Sequence, residues 1–264
     1  MLQIHKTALV FLLLPAALAA QSRQVQRDAF TLSERVPSGQ WIRVKNVSGE
    51  MRVRAAAGDK VEITATKSWR RGDPKEVRIE TKTSSDGSIL VCAFWVDDAS
   101  CTETGYRSHG GRDGNRNTDV AVDFEIRVPK GVRVGVWSVN GSVSVDGATS
   151  EVQASSVNGS VNATSAGGPV KASTVNGSVH ALMGRFDTDE ELSFSTVNGS
   201  VVAEFTGDID ADIELSTVNG RFQTDWPVTI TGRIDPRRLK ATLGKGGRRI
   251  KLTTVNGNIE LRKR

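Results

Sequence analysis

The tripeptide Val-Asn-Gly occurs six times in the second half of this chain, at Val139-Asn140-Gly141, Val157-Asn158-Gly159, Val175-Asn176-Gly177, Val197-Asn198-Gly199, Val218-Asn219-Gly220 and Val255-Asn256-Gly257. The asparagines stand at 140, 158, 176, 198, 219 and 256, so the steps are 18, 18, 22, 21 and 37 residues. A motif returning at a near-constant step of this length marks stacked units, none of which can bury its apolar face alone. The last step is about two units long, which predicts one coil that has lost its signature. A diverged copy comes earlier. Val36-Pro37-Ser38-Gly39 precedes Val47-Ser48-Gly49 as Val128-Pro129-Lys130-Gly131 precedes Val139-Asn140-Gly141.

The flanks of the motif decide the architecture. Four and six residues before each Asn the side chains are apolar, as in Val152 and Ala154, Val170 and Ala172, Leu192 and Phe194, or Ile250 and Leu252. Three after come Val143, Val161, Val179, Val201, Phe222 and Ile259, and the positions between are mostly polar. This period-two alternation predicts strands with one buried face on both sides of the turn. Asn-Gly between strands is also a strong hairpin signal, because both residues tolerate φ > 0, so an antiparallel meander is the rival. A meander would vary its turns and alternate the end on which they fall. One recurring turn instead predicts an all-β parallel β-solenoid, with Val above Val and hydrogen-bonded Asn above Asn.

The N-terminus reads as a signal peptide over residues 1–20. His5 and Lys6 precede an apolar run from Thr7 to Leu18, and Ala17-Leu18-Ala19 supplies a cleavage pattern. The run is short of the roughly 20 residues a membrane span needs, so no transmembrane anchor is expected. The organisation expected for the rest is a diverged β region over 21–127 and the Val-Asn-Gly solenoid over 128–264. Cys92 and Cys101, in a chain bound for an oxidising compartment, read as a disulfide. Thr102 to Asp119 is polar and aperiodic and reads as one long loop hung from that bond, carrying Tyr106, His109 and Asp113.

Four surface features are candidates for function. Eleven, nine and seven residues before Asn198 lie Asp187, Asp189 and Glu191, and the same offsets from Asn219 give Asp208, Asp210 and Asp212. If those two coils stack directly, three acid pairs repel one another, and a bound Ca²⁺ would relieve them; a solvated acidic edge is the alternative. From Arg233 onward eleven Lys and Arg face only Asp235 and Glu260, while the whole chain carries +5. Arg237, Arg238, Lys240, Lys245, Arg248, Arg249 and Lys251 would suit an anionic envelope polymer or lipid head group, or cap an exposed sheet edge. Nucleic acid is not expected, because no aromatic residues interleave with these charges. Ser155, Ser173, Ser195 and Ser216, with Thr174, Thr196, Thr217 and Thr254 nearby, make a hydroxyl ladder suited to ice or glycan, or simply to satisfying a turn. Trp41, Trp69, Trp95, Trp137 and Trp226 could stack on sugars, or belong to the core and its caps.

The stretch from Val128 onward, above all Ser195-Thr196-Val197-Asn198-Gly199-Ser200-Val201 and Gly244-Lys245-Gly246-Gly247-Arg248-Arg249 running into Thr253-Thr254-Val255-Asn256-Gly257, resembles a bacterial domain-of-unknown-function family described as candidate adhesins. The resemblance implies a right-handed parallel β-helix in the cell envelope, periplasmic or extracellular, and brings no catalytic residues with it. Relatives that accompany envelope-stress systems imply a sensory or scaffolding role as one version of that expectation. The functional expectation is a non-enzymatic, adhesin-like binding or scaffolding protein without cofactor, whose partner is a surface polysaccharide, an anionic polymer or an envelope protein. A polysaccharide lyase or hydrolase of β-helix fold is the alternative.

Overall fold

The computed structural model describes residues 26–108, 118–184, 190–229 and 235–264. The leader therefore lies outside the described residues, as do His109, Asp113, Asp187, Asp189 and Arg233. In chain order the strands begin with β1 (Gln26–Glu34), β2 (Trp41–Lys45), β3 (Met51–Ala55), β4 (Val61–Trp69), β5 (Arg78–Thr83), β6 (Ile89–Phe94), β7 (Ala99–Cys101) and β8 (Tyr106–Ser108). They continue with β9 (Ala121–Val128), β10 (Arg133–Trp137), β11 (Val143–Ala148), β12 (Val152–Ser155), β13 (Val161–Ser165), β14 (Val170–Ser173) and β15 (Val179–Met183). The last are β16 (Leu192–Ser195), β17 (Val201–Phe205), β18 (Ala211–Ser216), β19 (Phe222–Thr224), β20 (Arg238–Leu243), β21 (Arg248–Thr253) and β22 (Ile259–Lys263).

Two ten-stranded sheets face each other. Sheet I runs β1-β4-β9-β3-β11-β13-β15-β17-β22-β19, and sheet II runs β20-β18-β21-β16-β14-β12-β10-β2-β6-β5. One coil is a strand of sheet II, an Asn-Gly corner and a strand of sheet I. Between coils the strands pair in parallel and like meets like: Val134 with Val152, Val152 with Val170, Val143 with Val161, Val161 with Val179. This is the stacking of a β-solenoid, and the antiparallel meander is excluded. The aliphatic columns of both sheets meet in one continuous core that includes Ile42, Val44 and Val91, so the stretch before residue 128 belongs to the same stack. Each fully buried Val is worth about 1.5–3 kcal/mol, but only once the coils above and below cover it.

The corner is held by a second ladder. Asn158 donates its side-chain amide to Asn140 at 2.8 Å, and the same bond repeats from Asn176 to Asn158, from Asn198 to Asn176, from Asn256 to Asn198 and from Asn219 to Asn256. Beside it the buried hydroxyls of Ser156, Thr174, Thr196, Thr254 and Thr217 donate to the glycine carbonyls of Gly141, Gly159, Gly177, Gly199 and Gly257. The hydroxyl ladder of the sequence thus splits in two. The threonines point inward and satisfy the corner; Ser155, Ser173, Ser195 and Ser216 lie on the outer face of sheet II. No non-glycine residue among the described ones has positive φ, so the asparagines serve through their amides.

The order of coils in space differs from their order in the chain. Asn256 pairs with both Asn198 and Asn219, so the C-terminal coil β21–β22 is intercalated between β16–β17 and β18–β19. No coil has lost its signature; the long step instead contains β20, which pairs antiparallel with β18 and caps that end. The other end mirrors this, with β2–β3 lying between β6 and β9 on one side and β10–β11 on the other. Antiparallel β5 on β6 and β4 on β9 close it, which blunts the open sheet edges. The C-terminal order also keeps like charges apart. Direct stacking of β16 on β18 would set Glu191 over Asp212, whereas Arg249 now lies in register between them, 3.7 Å from Glu191. On sheet I Arg262 reaches Glu204 at 3.6 Å, and Lys263 reaches Asp208 at 2.6 Å.

Candidate ligand-binding cleft on the outer face of sheet II

β6 breaks the alternation seen in the Val-Asn-Gly coils, and its neighbour β2 does so in part. All six residues of β6, Ile89 to Phe94, are buried. Ile89, Val91 and Ala93 face the core, and Leu90, Cys92 and Phe94 face outward beneath a cover made of Ala99, Cys101 and Tyr106. That cover is the antiparallel hairpin β7–β8, pinned to β6 by the Cys92–Cys101 disulfide. The segment read as one long loop is therefore folded over its first part: β7 ends at Cys101, Thr102 closes a turn onto Gly105, and β8 starts at Tyr106. The reason is apolar pairing across the strands, with Tyr106 laid over Phe94.

The rim of the hairpin overhangs sheet II and leaves a cleft of about 270 Å³. Tyr106 is stacked between Phe94 and Trp137, with both centroid distances 5.7 Å. Its hydroxyl donates to the carbonyl of Ala93 at 3.2 Å, and burial pushes its pKa up to about 12. Arg43 lies over the Trp41 ring at 4.2 Å and forms an ion pair with Glu103 at 3.1 Å. Two residues on along the same face, Lys45 donates to the carbonyl of Thr102 at 2.7 Å. Burial lowers the Lys45 pKa, the neighbouring Arg43 charge lowers it further, and Glu103 partly offsets both. Between Arg43 and Gln153 in the same row sits Gly135, where a Cβ would stand 3.0 Å from the Arg43 side chain; its absence opens the cleft floor.

Gln153 and Ser155 line both this cleft and a shallower furrow of about 410 Å³ that continues along the stack. Its floor is formed by Gln153, Lys171 and Ser193 in one column and Ser155, Ser173 and Ser195 in the other. Beyond it the registers continue to Lys251 and Glu214, and to Thr253 and Ser216. Successive members are about 4.8 Å apart, the spacing of neighbouring strands. An aromatic wall thus opens onto a straight track of hydroxyl, amide and amine groups. Such a surface suits a linear polyhydroxylated chain, which can stack ring faces on Trp137 and hydrogen-bond along the floor.

The fold has a solved counterpart. A candidate cell adhesion protein from Clostridium sporogenes superposes with a TM-score of 0.51 at 10% identity, over 91% of this chain and 100% of that one. A candidate adhesin from Bacteroides fragilis gives a TM-score of 0.38 at 11% identity, over 90% of this chain and 97% of its own. The first likeness shows a shared fold and nothing finer. No family model and no curated protein matches the sequence.

The other sequence candidates are distributed differently from expectation. Of the acid register, Glu191 and Asp212 do not stack, because β21 lies between β16 and β18, and Asp187 and Asp189 lie outside the described residues. Asp208 binds Lys263, which holds its carboxyl below the usual range; Asp210 accepts from the Lys245 amide; Asp212 accepts from Thr242 and the Gly247 amide. Two cations of the basic C-terminal run are engaged within the fold. Arg249 faces Glu191, and Arg238 forms an ion pair with Glu214. Burial alone would raise the Glu214 pKa, but Arg238, Lys240 and Lys251 together bring it below the usual value. Among the described residues no three His, Cys, Asp or Glu side chains converge as a metal site. No helix among them is long and apolar enough to cross a membrane. Trp226 is buried at the C-terminal end and meets Phe205 edge-on at 6.1 Å, whereas Trp137 belongs to the cleft. Arg43, Lys45, Tyr106 and Gly135 were not singled out as a site by sequence reasoning. The signal that could have found them is the unbroken apolar run Ile89–Phe94, which requires cover on both faces.

Proposed function

We propose that this chain is a non-enzymatic binding protein of the bacterial cell envelope, adhesin-like in presenting a repetitive solenoid surface, and that its cleft and furrow hold a surface glycan. The observation carrying this reading is the stacked Tyr106–Trp137 pair beside the side-chain-free position Gly135, opening onto the hydroxyl columns. The Cys92–Cys101 bond supports folding in an oxidising compartment, in keeping with export by the leader at residues 1–20. The coil is taken as right-handed, the sense that parallel strand crossovers overwhelmingly adopt. No cofactor is called for. A hydrolase would need two carboxylates flanking the bond to be cut, whereas among the described residues Glu103 is the one acid lining the cleft and Arg43 already engages it.

Calorimetric titration of oligosaccharides released from bacterial surface polymers tests the reading, with Trp137→Ala as the variant. Its affinity should fall roughly tenfold or more, the size of losing a central aromatic contact. Unchanged affinity would place the ligand elsewhere. Release of new reducing or unsaturated ends during incubation would overturn the non-enzymatic assignment.

A further inference from the structure

Several features of the furrow lie in one column of sheet II. Read through the strand registers, the column runs Arg43, Gly135, Gln153, Lys171, Ser193 and Lys251, and ends on Glu214 beside Lys251. Its three cations are separated by three coils and then by two, or about 14 Å and 10 Å at the spacing of neighbouring strands. Everything between them is small or neutral. Lys171 is exposed and makes no ion pair or hydrogen bond among the described residues. At the cleft end Arg43 and Lys45 project side by side, Arg43 paired with Glu103 and Lys45 donating to the Thr102 carbonyl.

We infer that the ligand is an acidic linear polysaccharide lying along this column, with anionic groups set against Arg43 and Lys45, against Lys171 and against Lys251. The inference rests on the glycan reading above and deepens it by naming the ligand class. Intervals of two to three coils match a polymer that carries its charge on alternate sugar rings rather than on every backbone unit. A neutral glycan would leave Lys171 without a role, and a nucleic acid would place its charges more densely than this column does.

The test compares alginate, polygalacturonate and hyaluronan oligosaccharides with a neutral glucan of equal length and a single-stranded oligonucleotide, using wild type, Lys171→Gln and Trp137→Ala. Hyaluronan, charged on alternate rings, should bind at least tenfold tighter than the glucan, tighter than alginate or polygalacturonate, which are charged on every ring, and weaken as salt rises. Lys171→Gln should weaken the acidic ligand about fivefold, the size of one surface charge contact, and leave the melting temperature unchanged. Equal binding of glucan and acidic chains with Lys171→Gln silent would overturn the acidic class, while continued sensitivity to Trp137→Ala would leave the glycan reading intact. Tighter binding of the oligonucleotide would overturn the inference, and binding of no saccharide would remove both readings.

Discussion

Gly177→Ala probes how closely the coils approach at their corners. A Cβ at Gly177 would stand 2.4 Å from the carbonyl oxygen of Gly159, 2.6 Å from its carbon and 2.9 Å from the Ser160 nitrogen. All three are backbone atoms of the neighbouring coil, so no rotamer change can relieve the clash and the coils must part. Parting them stretches the Gly159 amide to Asn176 carbonyl bond of 2.9 Å and the 2.7 Å bond from Thr174 to the same Gly159 carbonyl. Overpacking costs about 1–3 kcal/mol, and each weakened buried hydrogen bond about 1 kcal/mol more. The sum is roughly 3–5 kcal/mol, or about 6–20 °C in melting temperature for a chain of this size. Gly58→Ala is the control, since nothing lies within 4 Å of its Cβ. It should be neutral or stabilise by about 0.4–1 kcal/mol through the unfolded chain. Urea unfolding followed by circular dichroism reads both variants. Similar midpoints for the two would refute the claim that corner backbones are in contact from coil to coil.

Two further outcomes are expected. Tyr106 is the single tyrosine of the chain, so absorbance of tyrosinate reports it alone; its midpoint should lie near 12 and move toward the ordinary value when the disulfide is reduced. Because the folded value is raised, its contribution to stability holds below the unfolded pKa of about 10 and is lost as pH climbs from there through 12; an ordinary midpoint in the oxidised protein would mean the hairpin does not cover the ring. Arg249→Glu combined with Lys251→Glu places carboxylates between Glu191, Asp212 and Glu214. The urea midpoint should drop at low ionic strength and largely recover in high salt, and a salt-independent drop would mean that charge does not select the coil order.

The aliphatic columns were legible because a period of two, repeated at a fixed step, says which side chains point inward before any partner is known. The asparagine ladder was legible on the same ground, since stacking like on like sets each amide beside the next; Asn140, Asn158 and their counterparts keep ordinary backbone angles, which positive φ at an Asn-Gly hairpin would not allow. The cleft was out of reach. It gathers residues from four distant stretches, around Arg43, Glu103, Trp137 and Gln153, and spacing in a sequence carries no information about which stretch folds over which.

What the sequence determined by itself is the coil: its length, its inward face and the turn that closes it, all set by interactions within about twenty residues. What only the tertiary structure decided is the succession of coils and what covers them. A coil of this kind accepts any other in register on either edge, so local pattern leaves the neighbours degenerate. At the C-terminal end the order sets Arg249 between Glu191 and Asp212, and one cross-link at Cys92 and Cys101 holds the cover over the face that forms the cleft.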